Sequence, residues 1–225
     1  MKEIFDSYSI NLTEEQLKKF EKYYELLIEY NEKFNITAIT KKKEVIVKHF
    51  VDSIYKVDKL KGSLLDVGSG GGFPAIPLKI VNENLTVTCL EATGKKCEFL
   101  RAVKSGLNLD NFFVLNGRAE DIAKDNKYRE KFDYCSARAV ARLNTLAEYC
   151  MPFVKVGGEF VAFKGDYTEE LTEAENAIKV LGGEVNKVTE FTLNEAKRGI
   201  IYVKKVKNTD KKYPRGKGKE RKCPL

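Results

Sequence analysis

The chain has 225 residues, 43% of them hydrophobic, enough for one sizeable domain with an extension and too apolar for a disordered polymer. The net charge of +7 is unevenly held: Lys204 to Leu225 carries ten Lys/Arg against two acidic residues, while the remainder is close to neutral. No window reaches the ~18 uninterrupted apolar residues of a membrane span, and Met1-Lys2-Glu3-Ile4-Phe5-Asp6 lacks the basic-then-apolar layout of a secretion signal, so a soluble cytoplasmic protein is expected.

In chain order, Asn11 to about Asn35 reads as a helix opened by Thr13 and Gln16 at capping-box spacing, with Leu17, Phe20, Tyr24, Leu27 and Phe34 on one apolar face. Glu44 to about Val57 reads as a second, with Ile46, Phe50, Ile54 and Val57 on one side. These helices form an N-terminal extension, residues 1–60, before a domain at 61–206 and a basic tail at 207–225. In that domain, strands are predicted at Leu64–Val67, Val87–Leu90, Phe112–Asn116, Phe132–Ala137, Glu159–Lys164, Val185–Thr192 and Ile200–Lys205. Helices are predicted at Pro74–Val81, Lys95–Leu107, Leu143–Val154 and Tyr167–Leu181. Alternating strands and helices imply an α/β fold with a parallel, doubly wound sheet. Only Asn194–Gly199 separates the last two strands, which can therefore pair as an antiparallel hairpin at the sheet edge. The five cysteines, Cys89, Cys97, Cys135, Cys150 and Cys223, are scattered without a Cys-x-x-Cys pair, which speaks against a disulfide framework or a metal site.

The first predicted strand runs into Leu65-Asp66-Val67-Gly68-Ser69-Gly70-Gly71-Gly72-Phe73-Pro74. Glycine permits positive φ and removes the Cβ that blocks close approach, so this loop can wrap a ligand. A dinucleotide fingerprint fails, because the sixth position from Gly68 is Phe73 and from Gly70 is Ala75; a Walker loop fails for want of a following lysine. The remaining Asp-x-Gly-x-Gly-x-Gly pattern resembles motif I of the class I S-adenosylmethionine (AdoMet) methyltransferases, a Rossmann-like fold with a mostly parallel seven-stranded sheet and an antiparallel edge strand. Ligands of open α/β sheets bind beyond the carboxyl ends of the strands. Glu91, 23 residues after Gly68, ends the second strand and can accept both hydrogen bonds of a ribose diol. Arg118-Ala119-Glu120 follows the third strand, where backbone and a small side chain can frame an adenine. Arg138 follows the fourth, where a guanidinium can hold a carboxylate or a phosphate or serve structure alone.

The methyl acceptor is narrowed by elimination. Cytosine C5 methylation needs a cysteine nucleophile, and no cysteine sits right after the fourth strand's loop, Cys135 lying within the strand itself. Exocyclic-amine enzymes carry Asp/Asn-Pro-Pro-Tyr/Phe there, where this chain has Ser136-Ala137-Arg138-Ala139, and no acidic cluster suggests a metal. An acceptor that is already nucleophilic remains. Guanine N7, with an in-plane lone pair and no proton to remove, fits without a general base. His49, the one histidine, lies three residues before Asp52 on one predicted helix face, and a structural His–Asp pair is expected there rather than an acid–base pair.

Asn35-Ile36-Thr37-Ala38-Ile39, His49-Phe50-Val51-Asp52-Ser53, the glycine loop, Lys95-Lys96, Arg118-Ala119-Glu120, Ser136-Ala137-Arg138-Ala139-Val140-Ala141 and Lys164-Gly165 occur in that order. In these blocks, over about residues 11–206, the chain resembles the RsmG (GidB) family, bacterial 16S rRNA guanine-N7 methyltransferases acting on the 530 loop. The resemblance implies AdoMet contacts at Gly68, Phe73, Glu91, Ala92, Thr93, Ala119, Glu120 and Arg138. It also implies 16S rRNA, the small ribosomal subunit or its precursor as partner, with no membrane, no stable protein partner and a monomeric enzyme. Asn35, Thr37, His49, Asp52, Arg142 and Lys164 are expected on the RNA side or shaping the site. One departure is Ala75, where the family often has glycine. The basic tail either neutralises RNA phosphates or is a solvated solubility segment.

Overall fold

The computed structural model describes residues 1–138 and 140–225; Ala139, within the block after the fourth strand, lies outside the described residues. After α1 (Lys2–Ser7), α2 spans Glu14–Phe34 and starts on the expected capping box. Gln16 N–H donates to Thr13 Oγ1 at 3.2 Å and Thr13 N–H to Gln16 Oε1 at 3.0 Å, so two N-terminal donors are satisfied reciprocally. The second expected helix is a composite of α3 (Lys42–Val45), a π-helical turn over Ile46–Val51, and α4 (Asp52–Ile54). Bonding from i to i+5 widens the turn, so residues three apart no longer stack as they do in an α-helix. The expected His49–Asp52 pair accordingly does not form; the described bonds of the two side chains go elsewhere.

The sheet holds β1 (Ser63–Val67), β2 (Thr86–Glu91), β3 (Phe112–Asn116), β4 (Phe132–Arg138), β5 (Val154–Lys164), β6 (Gly183–Leu193) and β7 (Ala196–Lys205). Their order is β3-β2-β1-β4-β5-β7-β6, with the first five parallel. β7 runs antiparallel to both β5 and β6, and the β6–β7 pair is the antiparallel hairpin expected at the sheet edge. The connection between β6 and β7 is shorter than the sequence suggests. Asn194 (φ 46°) and Glu195 (φ 64°) both take positive φ and close a two-residue hairpin, which extends β7 back to Ala196.

Helices α5 (Ala75–Val81) and α6 (Gly94–Gly106) cover one face of the sheet; α7 (Ala119–Ile122), α8 (Leu143–Cys150) and α9 (Thr168–Val180) belong to the other. The expected helix to Val154 stops at Cys150, and Pro152 sits in a single tighter turn, Met151–Phe153, because proline cannot supply the N–H a continuing helix needs. Alternation along β1 sends Leu64 into one core layer and Leu65 into the other. The first layer also holds Phe5, Phe20, Tyr23, Leu27 and Phe50. The N-terminal helices thus share one core with the sheet. Residues 207–225 do not run free either. Tyr213 is buried in the second layer, and a last turn, α10 (Lys219–Lys222), packs against α8.

Candidate functional site

The site begins at the carboxyl end of β1, where the strand order reverses between β1 and β4. Gly68 (φ 69°), Gly70 (φ 55°) and Gly72 (φ 85°) take conformations that L side chains rarely adopt. At two of them a Cβ would also crowd a neighbouring side chain, which would have to shift. A Cβ on Gly68 would lie 2.8 Å from Val140 Cγ2, and one on Gly72 would lie 2.2 Å from Ile76 Cδ1. Tyr23, fully buried on α2, donates its hydroxyl hydrogen bond to the Gly71 carbonyl, so the N-terminal helix fixes the loop directly. Below the loop, buried Asp66 accepts from Ser136 Oγ at 2.7 Å, tying β1 to β4. Burial pushes its carboxyl up to about 7, against the opposing pull of the Ser136 bond.

Beside this loop lies a cavity of about 640 Å³, walled by Gly68, Phe73, Glu91, Ala119, Arg138 and Tyr149 among others. Of the eight expected cofactor positions, Ala92 and Glu120 also line it, and Thr93 does not. Thr93 N–H instead donates to Glu91 Oε1 at 2.8 Å, while Gly70 N–H donates to Glu91 Oε2 at 2.9 Å. Glu91 is therefore buried and oriented by two backbone donors from opposite sides. Each carboxylate oxygen keeps a further lone pair for a diol.

Phe73, Arg138 and His49 make a septum at the other end. The His49 ring stacks on Phe73 at 4.4 Å between centroids, and the Arg138 guanidinium lies 4.9 Å over the same ring. Arg138 Nη1 donates to Asp52 Oδ2 at 3.1 Å and Nη2 meets His49 Nδ1 at 3.3 Å. Nδ1 also lies 3.1 Å from the Lys48 carbonyl, and Nε2 lies 2.9 Å from Thr37 Oγ1, so both ring nitrogens have partners within the protein. Burial, then the Arg138 charge, lowers the His49 pKa to about 4, which keeps the ring neutral.

Beyond the septum is a second cavity of about 320 Å³, which shares Arg138 with the first. Lys48, Arg138, Lys164 and Arg198 give its wall four cations against the carboxylates of Asp52 and Glu170. Asp52 is held from both sides, since Arg198 Nε donates to its other oxygen at 2.9 Å. Lys164 reaches Glu170 at 2.6 Å and the Ala141 carbonyl at 2.9 Å, anchoring the segment after β4.

His49, Asp52 and Lys164 thus wall the second cavity, and Thr37 orients His49 from outside it. Asn35 and Arg142 line neither cavity. Asn35 ends α2 in the left-handed region (φ 49°), and Arg142 is drawn outward to Glu173 at 2.7 Å and Glu169 at 3.6 Å on α9. Sequence reasoning does not reach Arg198, which falls in the longer predicted loop, or Tyr23, whose neighbour Tyr24 fits the predicted apolar face. It also misses Gly218 and Arg221 on the first cavity's wall. Among these, the two-residue turn propensity of Asn194 was the one local signal that could have put Arg198 on a strand.

Residues 16–201 match the family model described as GidB, rRNA small subunit methyltransferase G. The protein named Ribosomal RNA small subunit methyltransferase G from Leuconostoc mesenteroides subsp. mesenteroides is 46% identical, covering 99% of this chain and 97% of that protein. The protein of the same name from Lactobacillus johnsonii is 47% identical over 97% of this chain and 95% of its own length. Among solved structures, a SAM dependent methyltransferase from Aquifex aeolicus superposes with a TM-score of 0.54 at 19% identity, covering 71% of this chain and 92% of that one. Aeropyrum pernix fibrillarin, solved with natively bound S-adenosyl-L-methionine, gives 0.52 at 16% identity, covering 69% and 72%. At such identities the structural likeness speaks for the fold.

Proposed function

The chain belongs to the rRNA small subunit methyltransferase G family, and from that premise we propose that it transfers a methyl group from S-adenosylmethionine to N7 of a guanine in the 530 loop of 16S rRNA. The observation that carries the reading is the pair of cavities meeting at Arg138. The larger one fits the cofactor. Its volume lies in the range of ligand sites, its glycine loop would crowd a Cβ at Gly68 against Val140, and Glu91 presents an oriented carboxylate at the end of β2. Gly68, Phe73, Glu91, Ala92, Ala119 and Glu120 would hold it, and its sulfonium supplies an electrophilic methyl group.

The smaller cavity suits the acceptor nucleotide. Cations around it favour a phosphate-bearing ligand, and a base splayed out of an RNA loop can enter such a pocket. Its side chains are poorly disposed to remove a proton. His49 is neutral, and its two nitrogens face the Lys48 carbonyl, Arg138 and Thr37; Asp52 is gripped by two arginines. Guanine N7 asks for no proton removal, only alignment of its lone pair with the methyl carbon. Orientation of that kind is worth about 7–11 kcal/mol. The Arg138–Phe73–His49 septum is the element that sets the alignment.

The test is transfer of tritiated methyl from labelled AdoMet to small ribosomal subunits lacking the modification, with 7-methylguanine mapped by borohydride–aniline cleavage. Cleavage in the 530 loop is expected. Label in another base or another RNA would contradict the substrate reading and leave the methyltransferase intact.

A further inference from the structure

The C-terminal segment is strapped to the domain by buried and half-buried polar groups. Arg129 donates to four backbone carbonyls, of Ala123 (3.1 Å), Tyr213 (2.9 Å), Thr209 (2.8 Å) and Asp210 (3.1 Å). Glu130 accepts from Thr209 N–H at 2.8 Å and from Asn208 Nδ2 at 2.6 Å. Glu148, buried on α8, accepts from Arg215 N–H at 2.8 Å and from Arg215 Nη2 at 2.7 Å. Glu220 is buried as well; it accepts from Gly216 N–H, and its carbonyl accepts from Thr145 Oγ1 at 2.9 Å. Four backbone carbonyls of the segment, those of Thr209, Asp210, Tyr213 and Glu220, and two carboxylates of the domain, Glu130 and Glu148, therefore fix its path.

That path ends on the first cavity. Gly218 and Arg221 are part of its wall, and Arg221 Nη2 lies 3.4 Å from the Val140 carbonyl. Val140 in turn fills the space beside Gly68 that a Cβ would occupy. A contact series runs from Arg221 through Val140 to the glycine loop.

We propose that Gly218 and Arg221 make the anchored C-terminal segment a fixed wall of the cofactor pocket and that Arg221 is a positioning residue, holding the segment after β4 against the glycine loop. The proposal rests on the reading of the larger cavity as the cofactor site. It assigns the basic segment a place in cofactor binding, independent of any attraction to RNA.

The experiment is calorimetric titration of S-adenosylhomocysteine into the full-length protein and into Arg221→Ala, Arg221→Lys and Lys222→Ala, with thermal melting of each. Arg221→Ala should bind about three- to tenfold more weakly, the loss of one hydrogen-bonded contact, at an unchanged melting midpoint. Arg221→Lys should recover part of the affinity, and Lys222→Ala, which removes an exposed charge from the same turn, should bind as the parent does. In steady state the KM for AdoMet should rise in Arg221→Ala with kcat and the RNA KM unchanged. Parent-like binding by Arg221→Ala would overturn the wall, as would equal weakening in Lys222→Ala or a rise confined to the RNA KM. No binding by the parent protein would instead remove the cofactor reading beneath it.

Discussion

The cavity over the glycine loop and the cavity beyond Arg138 are neighbours made of different material. The first is built around the backbone and small residues of one stretch, Val67 to Gly71, and the strand-end groups Glu91 and Ala119, with side chains such as Arg138, Tyr149 and Arg221 closing it from other elements. The second is walled by ionic side chains from separate elements: His49 and Asp52 on the helical extension, Arg138 on β4, Lys164 on β5, Glu170 on α9 and Arg198 on β7. A backbone wall is specified locally, because glycine spacing after a strand dictates it. A side-chain wall exists only once the sheet order brings its members together.

Substitutions should therefore fail differently in the two places. The largest effect is expected from Gly68→Arg, which places a long side chain at φ 69° against Val140 and into the cavity. S-adenosylhomocysteine binding should become undetectable by calorimetry; retained binding would break the contrast. Next is Asp52→Ala. It leaves the shielded Arg138 without its carboxylate, and should destabilise by about 3–5 kcal/mol in urea unfolding, the range for breaking a buried pair.

Below that come two opposed pH dependences. Asp66 has a folded pKa raised to about 7. Its stabilisation is therefore complete below the unfolded value near 4 and is lost as pH rises to about 7. His49 has a folded pKa lowered to about 4, so its contribution is present above about 6.5 and is lost as pH falls toward 4. Unfolding from pH 4.5 to 7 should show partial cancellation in the parent. Asp66→Asn should steepen the gain of stability with rising pH, and His49→Gln should flatten or reverse it, each by roughly 2–3 kcal/mol at about 1.4 kcal/mol per pKa unit. Parallel curves for all three proteins would contradict both assignments.

The same contrast explains what the sequence disclosed. Strand and helix alternation, the capping box at Thr13 and the glycine loop are local, and the structure reproduces them. Glu91 and Ala119 are legible as cavity-wall positions because Glu91 ends a strand and Ala119 follows one in a fold whose ligand end is known from topology alone. Arg198 is not, since nothing near it in sequence marks it, and its partner Asp52 is 146 residues away. The expected His49–Asp52 pair does not form because a π-helical turn, which carries no strong local signature, winds more widely and turns both side chains toward Arg138. The basic segment read as a tail because its anchors, Arg129, Glu130 and Glu148, belong to distant elements.

The smallest of these effects tests the central claim most directly. Arg198→Ala should raise the KM for small-subunit RNA about tenfold, roughly 1.4 kcal/mol, while the S-adenosylhomocysteine dissociation constant stays at the parent value. That outcome would place the acceptor in the second cavity and the cofactor in the first. Weakened S-adenosylhomocysteine binding with an unchanged RNA KM would contradict the division of the site at Arg138.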